Sequence, residues 1–430
     1  MSEHIIFRHA LLPDGWAENV RISFADGIIS QVETGYPGGA AIALPGMPNL
    51  HSHSFQRAMA GRAEYRGYGS DSFWTWRTLM YQLALTLDPD DVQAIATLAF
   101  TEMLEGGFTS VAEFHYLHHA PDGAPYADIA EMATRLAAAA AQTGIDLLLL
   151  PVFYAHAGFG AQAPTEGQRR FINTLDSYEK LYARCQAIGP TGCAPHSLRA
   201  ATMEQINALI RLNGSAPFHI HIAEQMAEVD ACLAFSGARP VEYLLQNAPV
   251  TSNSCLVHAT HITQAEAQSI AKVGAVAGLC PITEANLGDG IFPVPFFTGA
   301  YGIGSDSNVL IDTGRELQML EYSQRFAQQQ RNVMASAAFP ATATSLYHHA
   351  VDGGAQAMGL IAGLRVGAPA SFVTIEGATP DEALAAAVFT ARSPATRDVW
   401  VRGRRVVENG QHYLAQKARE GLTAVQRKRL

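Results

Sequence analysis

The chain has 430 residues, with 29 Lys and Arg against 39 Asp and Glu, and its net charge of −10 argues against a nucleic-acid or anionic-membrane partner. Hydrophobic residues make up 48% and charged residues 16%, ample for a large packed core and wrong for disorder. Five scattered cysteines form no CxxC pair, no apolar run is long enough to span a bilayer, and the amino terminus lacks a basic-then-apolar leader, so a reducing cytoplasm is the expected setting.

In chain order, residues 1 to about 45 read as short alternating strands (HIIFRHALL, NVRISFADGIISQVE) with Asp-Gly and Gly-Gly turns. PGMPNLHSH follows as an apolar strand that ends in two histidines. Asp88-Pro89-Asp90-Asp91 then supplies a helix N-cap, a proline at the first helical position and acidic groups at the positive helix end. The helix runs through AIATLAFTEMLE, stops at Gly106-Gly107 and gives way to the strand FTSVAEF. The cycle repeats with IAEMATRLAAAAAQ and IDLLLLPVF, then with strands in TGCAPH, FHIHIA, SCLVHA, VAGLC and YGIGSD separated by helices such as ATMEQINALIRL and TQAEAQSIAKV. Eight near-continuous apolar strands alternating with helices predict an α/β fold, a (β/α)8 TIM-like barrel over residues 46–362. No GxGxxG follows an early strand to favour a doubly wound sheet. From about 363 to 430 the pieces ASFVTIEG and VWVRGRRVVENG are again hairpin-like, so the two ends are expected to build a small composite β-sandwich. The Gln-, Lys- and Arg-rich tail reads as a solvated terminal helix.

Chemistry-bearing residues sit where these strands stop. In His51-Ser52-His53, residues i and i+2 point the same way, so two imidazoles can converge on one ion. His219-Ile220-His221 with Glu224, then His258, then Asp306, end three later strands. Taken singly, His219 or His258 could be a satisfied core histidine, and Asp306 could cap the helix near Thr313. Taken together, three imidazoles and a carboxylate make a borderline-soft site that suits one Zn2+ with a position open for water. Spacing alone leaves either His219 or His221 as the ligand. His115, His118 and His119 read as a loop at the rim, and His348, His349 and His412 lie far along the chain.

This order of HxH, HxxE, His and Asp resembles the amidohydrolase superfamily, in the branch that deaminates or deiminates with one metal ion. The resemblance implies His51, His53, His221 and Asp306 as metal ligands, Glu224 as the proton shuttle and His258 as the group assisting at the leaving group or the attacking water. The matching Glu224 decides for His221. Binuclear members carry a bridging lysine after the fourth strand, where this chain reads CAPHSLR, so a mononuclear site is expected. Fe2+, Mn2+ or Co2+ could occupy the same ligands.

More narrowly, MPNLHSHSFQRAMAG, EFHYLHH, APHSLRA and HIHIAEQ resemble the deiminases of N-formimino-L-glutamate in histidine breakdown, over essentially the whole chain. That resemblance implies Gln56, Arg77, Tyr116, His196 and Arg199 as contacts to a small dicarboxylate substrate, and a homodimer. Arginine suits such a substrate through its planar bidentate fork, and an acidic chain needs local cations to admit a dianion. The expected reaction gives N-formyl-L-glutamate and ammonia. The alternatives are formimino-aspartate as substrate, deamination of guanine or an adenosine derivative, and a catalytically silent scaffold.

Overall fold

In the computed structural model, residues 3–66, 69, 71–392 and 395–430 are described. The chain opens with strands β1 (Glu3–Leu12), β2 (Gly15–Ala25) and β3 (Ile28–Glu33), an antiparallel meander. Strand β4 (Ile42–Pro45) lies parallel to β1. The turn from β2 to β3 has Asp26 and Gly27 both at positive φ, as the tight right-twisted hairpin requires.

Eight parallel strands follow. They are β5 (Met47–Ser52), β6 (Phe108–His115), β7 (Asp146–Phe153), β8 (Ala194–Pro195), β9 (Phe218–Ile222), β10 (Ser254–His258), β11 (Val276–Leu279) and β12 (Tyr301–Ile303). They form two four-stranded halves, β5-β6-β7-β8 and β9-β10-β11-β12. Parallel bridges Cys193–Phe218 and Ser197–His221 join the halves at one seam, and Ser52–Asp306 joins them at the other. At that second seam the His53 amide donates to the Asp306 carbonyl at 2.9 Å and the Asp306 amide donates to the His51 carbonyl at 3.0 Å. The ring is therefore closed, and the expected eight-stranded barrel is the observed architecture.

Every residue of β5, β6, β9, β10 and β11 is buried, which explains why these strands read as unbroken apolar runs. The helices between them start where the sequence supplies caps. Asp88 accepts the Asp91 amide at the start of helix Pro89–Glu105, and Thr174, Thr202 and Thr263 accept the amides three residues on. Helix Thr342–Met358 packs closely on β12. A Cβ at Gly353 would lie 1.9 Å from the Tyr301 carbonyl oxygen, so only glycine permits that approach.

The C-terminal strands β13 (Phe372–Ile375), β14 (Asp398–Val401), β15 (Arg404–Glu408) and β16 (Gln411–His412) continue the N-terminal sheet, in the order β16-β15-β14-β13-β4-β1-β2-β3. Phe7, Phe24, Phe372 and Trp400 pack within it, with ring centroids 5.0–6.4 Å apart. The terminal helix Ala415–Arg429 differs from its expected solvated state. It buries Ala418 and Val425, and Lys428 and Arg429 pair with Asp88 and Asp91 at 2.6–3.1 Å. No described helix is long and apolar enough to cross a membrane.

Candidate metal centre and substrate cavity

The register between β5 and β6 slips between Asn49 and Ser52, a bulge that re-aims the end of the strand. His51 Nε2 lies 3.2 Å from His53 Nε2 and 2.9 Å from His221 Nε2. Asp306 Oδ1 lies 3.4 Å from His51 Nε2 and 3.2 Å from His53 Nε2. The second nitrogens set the tautomers. His53 Nδ1 donates to the Phe114 carbonyl at 2.8 Å and His221 Nδ1 donates to the His196 carbonyl at 3.0 Å, because a carbonyl can only accept. The bare Nε2 lone pairs of His53 and His221 therefore face the centre of the group, an arrangement that repels unless a cation lies between them. Ligands about 2.0–2.1 Å from a tetrahedral ion are about 3.3–3.4 Å apart, so this donor set fits one divalent ion.

The electrostatics agree. Burial pushes His51 down to about 3 and also lowers His53 and His221, keeping all three imidazoles neutral and available as ligands. Burial alone would raise Asp306, but the hydrogen bond from His51 and the surrounding imidazoles hold it well below the usual carboxylate range. Asp306 sits at φ 41° and His258 at φ 68°, left-handed conformations that are uncommon for these residues and tend to collect at working sites. Helix Thr313–Gln328 is capped by Asp312, which leaves Asp306 free of the capping role.

Glu224 follows β9, with Oε1 3.9 Å from His258 Nε2. Burial pushes its carboxyl up to about 7, and Asp306 and Glu228 add to the effect. His258 ends β10, its Nε2 3.9 Å from Asp306 Oδ2 and its Nδ1 3.3 Å from Glu284 Oε1. Burial opposes charge on it, but Glu224, Glu284 and Asp306 together push it up to about 10. Glu284 was not legible in the sequence, since nothing in a helix start 26 residues on marks it as a partner.

These groups open into a cavity lined also by Gln56, Arg77, Tyr116, His196 and Arg199. Gln56 Nε2 donates to the Tyr116 hydroxyl at 2.8 Å, which donates in turn to Met80 Sδ at 3.6 Å. Arg77 lies on helix Phe73–Ala84 with its guanidinium 4.5 Å from the Trp74 ring centroid, and that of Arg199 is 5.8 Å from the same ring. Neither arginine has a carboxylate within 4.0 Å among the described residues. Ten of the eleven expected site residues line this one space, and the eleventh, His51, lies behind it against His53 and His221. Sequence reading missed Tyr81 and Tyr154, which line it too. Tyr81 stands one helical turn after Arg77 and Tyr154 directly after β7, and either spacing could have flagged them.

Several of the other histidines are held by backbone carbonyls. His219 Nε2 pairs with the Ala357 carbonyl, His118 with that of Val152 and His119 with that of Ile172, each at 2.8 Å. His115 closes β6 and does not belong to a loop. His348 and His412 pair with the Pro13 and Thr143 carbonyls.

A closed parallel barrel with three histidines and an aspartate clustered at its strand ends is the arrangement of metal-dependent barrel hydrolases, and an amidohydrolase family model matches residues 42–406, so the chain belongs to the amidohydrolase family. Residues 3–41 match the N-terminal domain of formimidoylglutamate deiminase HutF. The chain is similar to formimidoylglutamate deiminase of Pseudomonas aeruginosa, 47% identical over 431 residues and 95% of each chain. It is also 27% identical to 5-methylthioadenosine/S-adenosylhomocysteine deaminase of Bacillus cereus, over 86% of this chain and 82% of that one. Among solved structures, an amidohydrolase from Brucella melitensis superposes with TM-score 0.96 at 48% identity over 99% of both chains. An adenosine deaminase from Xanthomonas campestris with bound zinc superposes at 0.78, with 21% identity over 99% and 98%, and supports the fold alone.

Proposed function

We propose that this protein hydrolyses N-formimino-L-glutamate to N-formyl-L-glutamate and ammonia. One divalent ion, Zn2+, is held by His51, His53, His221 and Asp306. Residues 46–362 serve as the catalytic barrel, with 1–45 and 363–430 as its β-sheet companion, and the enzyme works as a cytoplasmic homodimer. The observation that carries the reading is the meeting of two kinds of group in one cavity. The cluster of three histidines and Asp306 lies beside Glu224, and the same cavity holds two arginines that make no ion pair within 4.0 Å among the described residues. The 47% identity to a formimidoylglutamate deiminase supports the same substrate.

Bound at this cluster, the ion supplies Lewis acidity and lowers the pKa of a coordinated water towards about 7. Glu224, near 7 itself, takes one proton of the attacking water as its oxygen bonds to the formimino carbon and passes it to the imino nitrogen; the proton of the new hydroxyl follows as the C–N bond breaks, which releases ammonia and leaves the formyl carbonyl. His258, protonated under the influence of three carboxylates, stabilises negative charge on the oxygen added to the formimino carbon. Arg77 and Arg199 bind the carboxylates through their guanidinium forks. Gln56, Tyr116 and His196 give directional hydrogen bonds that hold the chain of the substrate in line.

The aromatic lining of the cavity and the 27% relative favour a second reading, purine deamination. Ammonia release from N-formimino-L-glutamate, N-formimino-L-aspartate, guanine and adenosine separates the two. Turnover of the formimino-glutamate is expected, and ammonia from a purine with none from either formimino acid overturns the proposal.

A further inference from the structure

The imidazole of His258 is held by hydrogen bonding from one side only. Its Nδ1 lies 3.3 Å from Glu284 Oε1, and among the described residues that carboxylate is the ring's sole hydrogen-bond partner. A carboxylate oxygen accepts, so Nδ1 carries a proton and donates it. On the other side Nε2 faces Glu224 Oε1 and Asp306 Oδ2, each 3.9 Å away and beyond hydrogen-bond reach, so its bonding capacity is left open towards the cavity. Packing fixes the plane of the ring, which lies 14° from that of His221 with centroids 5.5 Å apart. Packing does not fix its sense, because a half-turn about the Cβ–Cγ bond keeps the plane and exchanges each nitrogen for a carbon.

Glu284 itself is not free to move. It sits in the short helix Pro281–Leu287, which starts two residues after the end of β11, and the same Oε1 accepts the Cys280 amide at 2.8 Å. The first turn of that helix is tied down a second time, by Glu316, which is fully buried on helix Thr313–Gln328 and accepts the Ile282 amide at 2.9 Å. Glu284 is buried, so water is a poor substitute for either of its donors. It is not among the residues that line the cavity, and its reach towards the reaction ends at His258.

We propose that Glu284 is the positioning residue of His258: by accepting the Nδ1 proton it selects the ring orientation that presents Nε2 to the oxygen added to the formimino carbon. The assignment rests on the deiminase reading above for the role of His258 and deepens it. In the orientation observed, one nitrogen meets the buried carboxylate and the other is free for the reaction. In the flipped one, a carbon edge faces Glu284, the carboxylate is short of a donor, and a C–H group stands where the reaction needs a nitrogen. The aspartate of a Ser-His-Asp triad orients its imidazole by the same kind of contact.

The test is a double-substitution cycle on the metal-loaded protein with N-formimino-L-glutamate as substrate. Glu284→Leu is expected to lower kcat about 10- to 100-fold with KM within a few-fold, a share of the roughly 10²–10⁴ that a positioned acid–base group contributes. In a His258→Gln background the same substitution is expected to change kcat by less than about twofold, because its effect runs through a ring that is no longer there. Glu284→Gln keeps an oxygen that accepts both protons and is expected to lose less than Glu284→Leu. Independently of turnover, proton NMR of the wild-type protein is expected to show a low-field imidazole N–H resonance that is absent from both His258→Gln and Glu284→Leu. Metal analysis and thermal denaturation check that each variant is loaded and folded, and Glu284→Ala carries the cycle should the leucine variant not fold. An equal kcat penalty in the two backgrounds, or a His258 resonance unmoved by Glu284→Leu, overturns the assignment. If the wild-type protein does not turn over N-formimino-L-glutamate, the deiminase reading falls, and the resonance still decides whether Glu284 orients His258.

Discussion

Glu224 is where coordination and proton transfer can be separated by one atom. It is absent from the metal-ligand cluster of His51, His53, His221 and Asp306, so Glu224→Gln is expected to keep its metal while kcat falls by about 10²–10⁴. Metal analysis beside steady-state kinetics checks this, and normal turnover removes Glu224 from the proton path. The residues of the metal centre legible in advance end apolar strands, so spacing and strand order group them, while the choice of His221 over His219 and the contacts Gln56, Arg77, Tyr116, His196 and Arg199 came from the family resemblance. Glu284 and Gln168 have no such mark. Glu284 reaches His258 from 26 positions away, and Gln168 meets Tyr81 from 87 away, across elements whose approach no local pattern encodes.

At the scale of elements, helix Phe73–Ala84 carries Arg77 and Tyr81 to the cavity, and its far end is held by a buried cation. Arg170, fully buried, donates to the carbonyls of Ala84 and Leu87, and its Nε donates to that of His119 at 2.7 Å. Arg170→Met leaves those carbonyls without partners and is expected to cost about 1–3 kcal/mol of stability. It also raises KM more than it lowers kcat, because the helix bears binding groups and none of the acid–base groups. Chemical denaturation and a KM-against-kcat comparison check the two parts.

The terminal helix Ala415–Arg429 answers to pH. Partial burial would raise Asp88, but Lys428, the Asp91 amide and Arg429 hold it at about 2. A carboxyl depressed in the folded state stabilises above its ordinary pKa and stops doing so as pH falls to its folded one. The contribution is therefore complete above about pH 4 and lost towards about pH 2. Amide exchange in residues 415–429 is expected to speed up over that window before the barrel strands respond, and strong salt at neutral pH mimics it in part. The tail's basic residues were plain to see, while their acid partners, some 340 positions earlier, were not.

Across the whole molecule, the ligand cluster spans the closure of the barrel, since His51 and His53 come from its first strand and Asp306 follows its last. An ion held there ties the two ends of the ring together as well as serving the chemistry. Chelation is expected to lower Tm, and added Zn2+ to restore it in a concentration-dependent way, by about 2.7 kcal/mol when free metal is about 100 times Kd. Differential scanning calorimetry of stripped and reloaded protein tests this, and an unchanged Tm argues against an ion at the seam.

The architecture and the centre of the site follow from local rules. Eight apolar strands alternating with capped helices, with no GxGxxG to favour a doubly wound sheet, point to a covered parallel barrel, and polar residues at strand ends gather at one mouth of it. Those facts are written in periodicity, which a chain carries along its own length. The wall of the cavity is different in kind. Which hydroxyl Gln168 meets, which carbonyls Arg170 must satisfy and which acids the tail finds all depend on groups far apart in sequence arriving within about 3 Å, and only packing in three dimensions decides that.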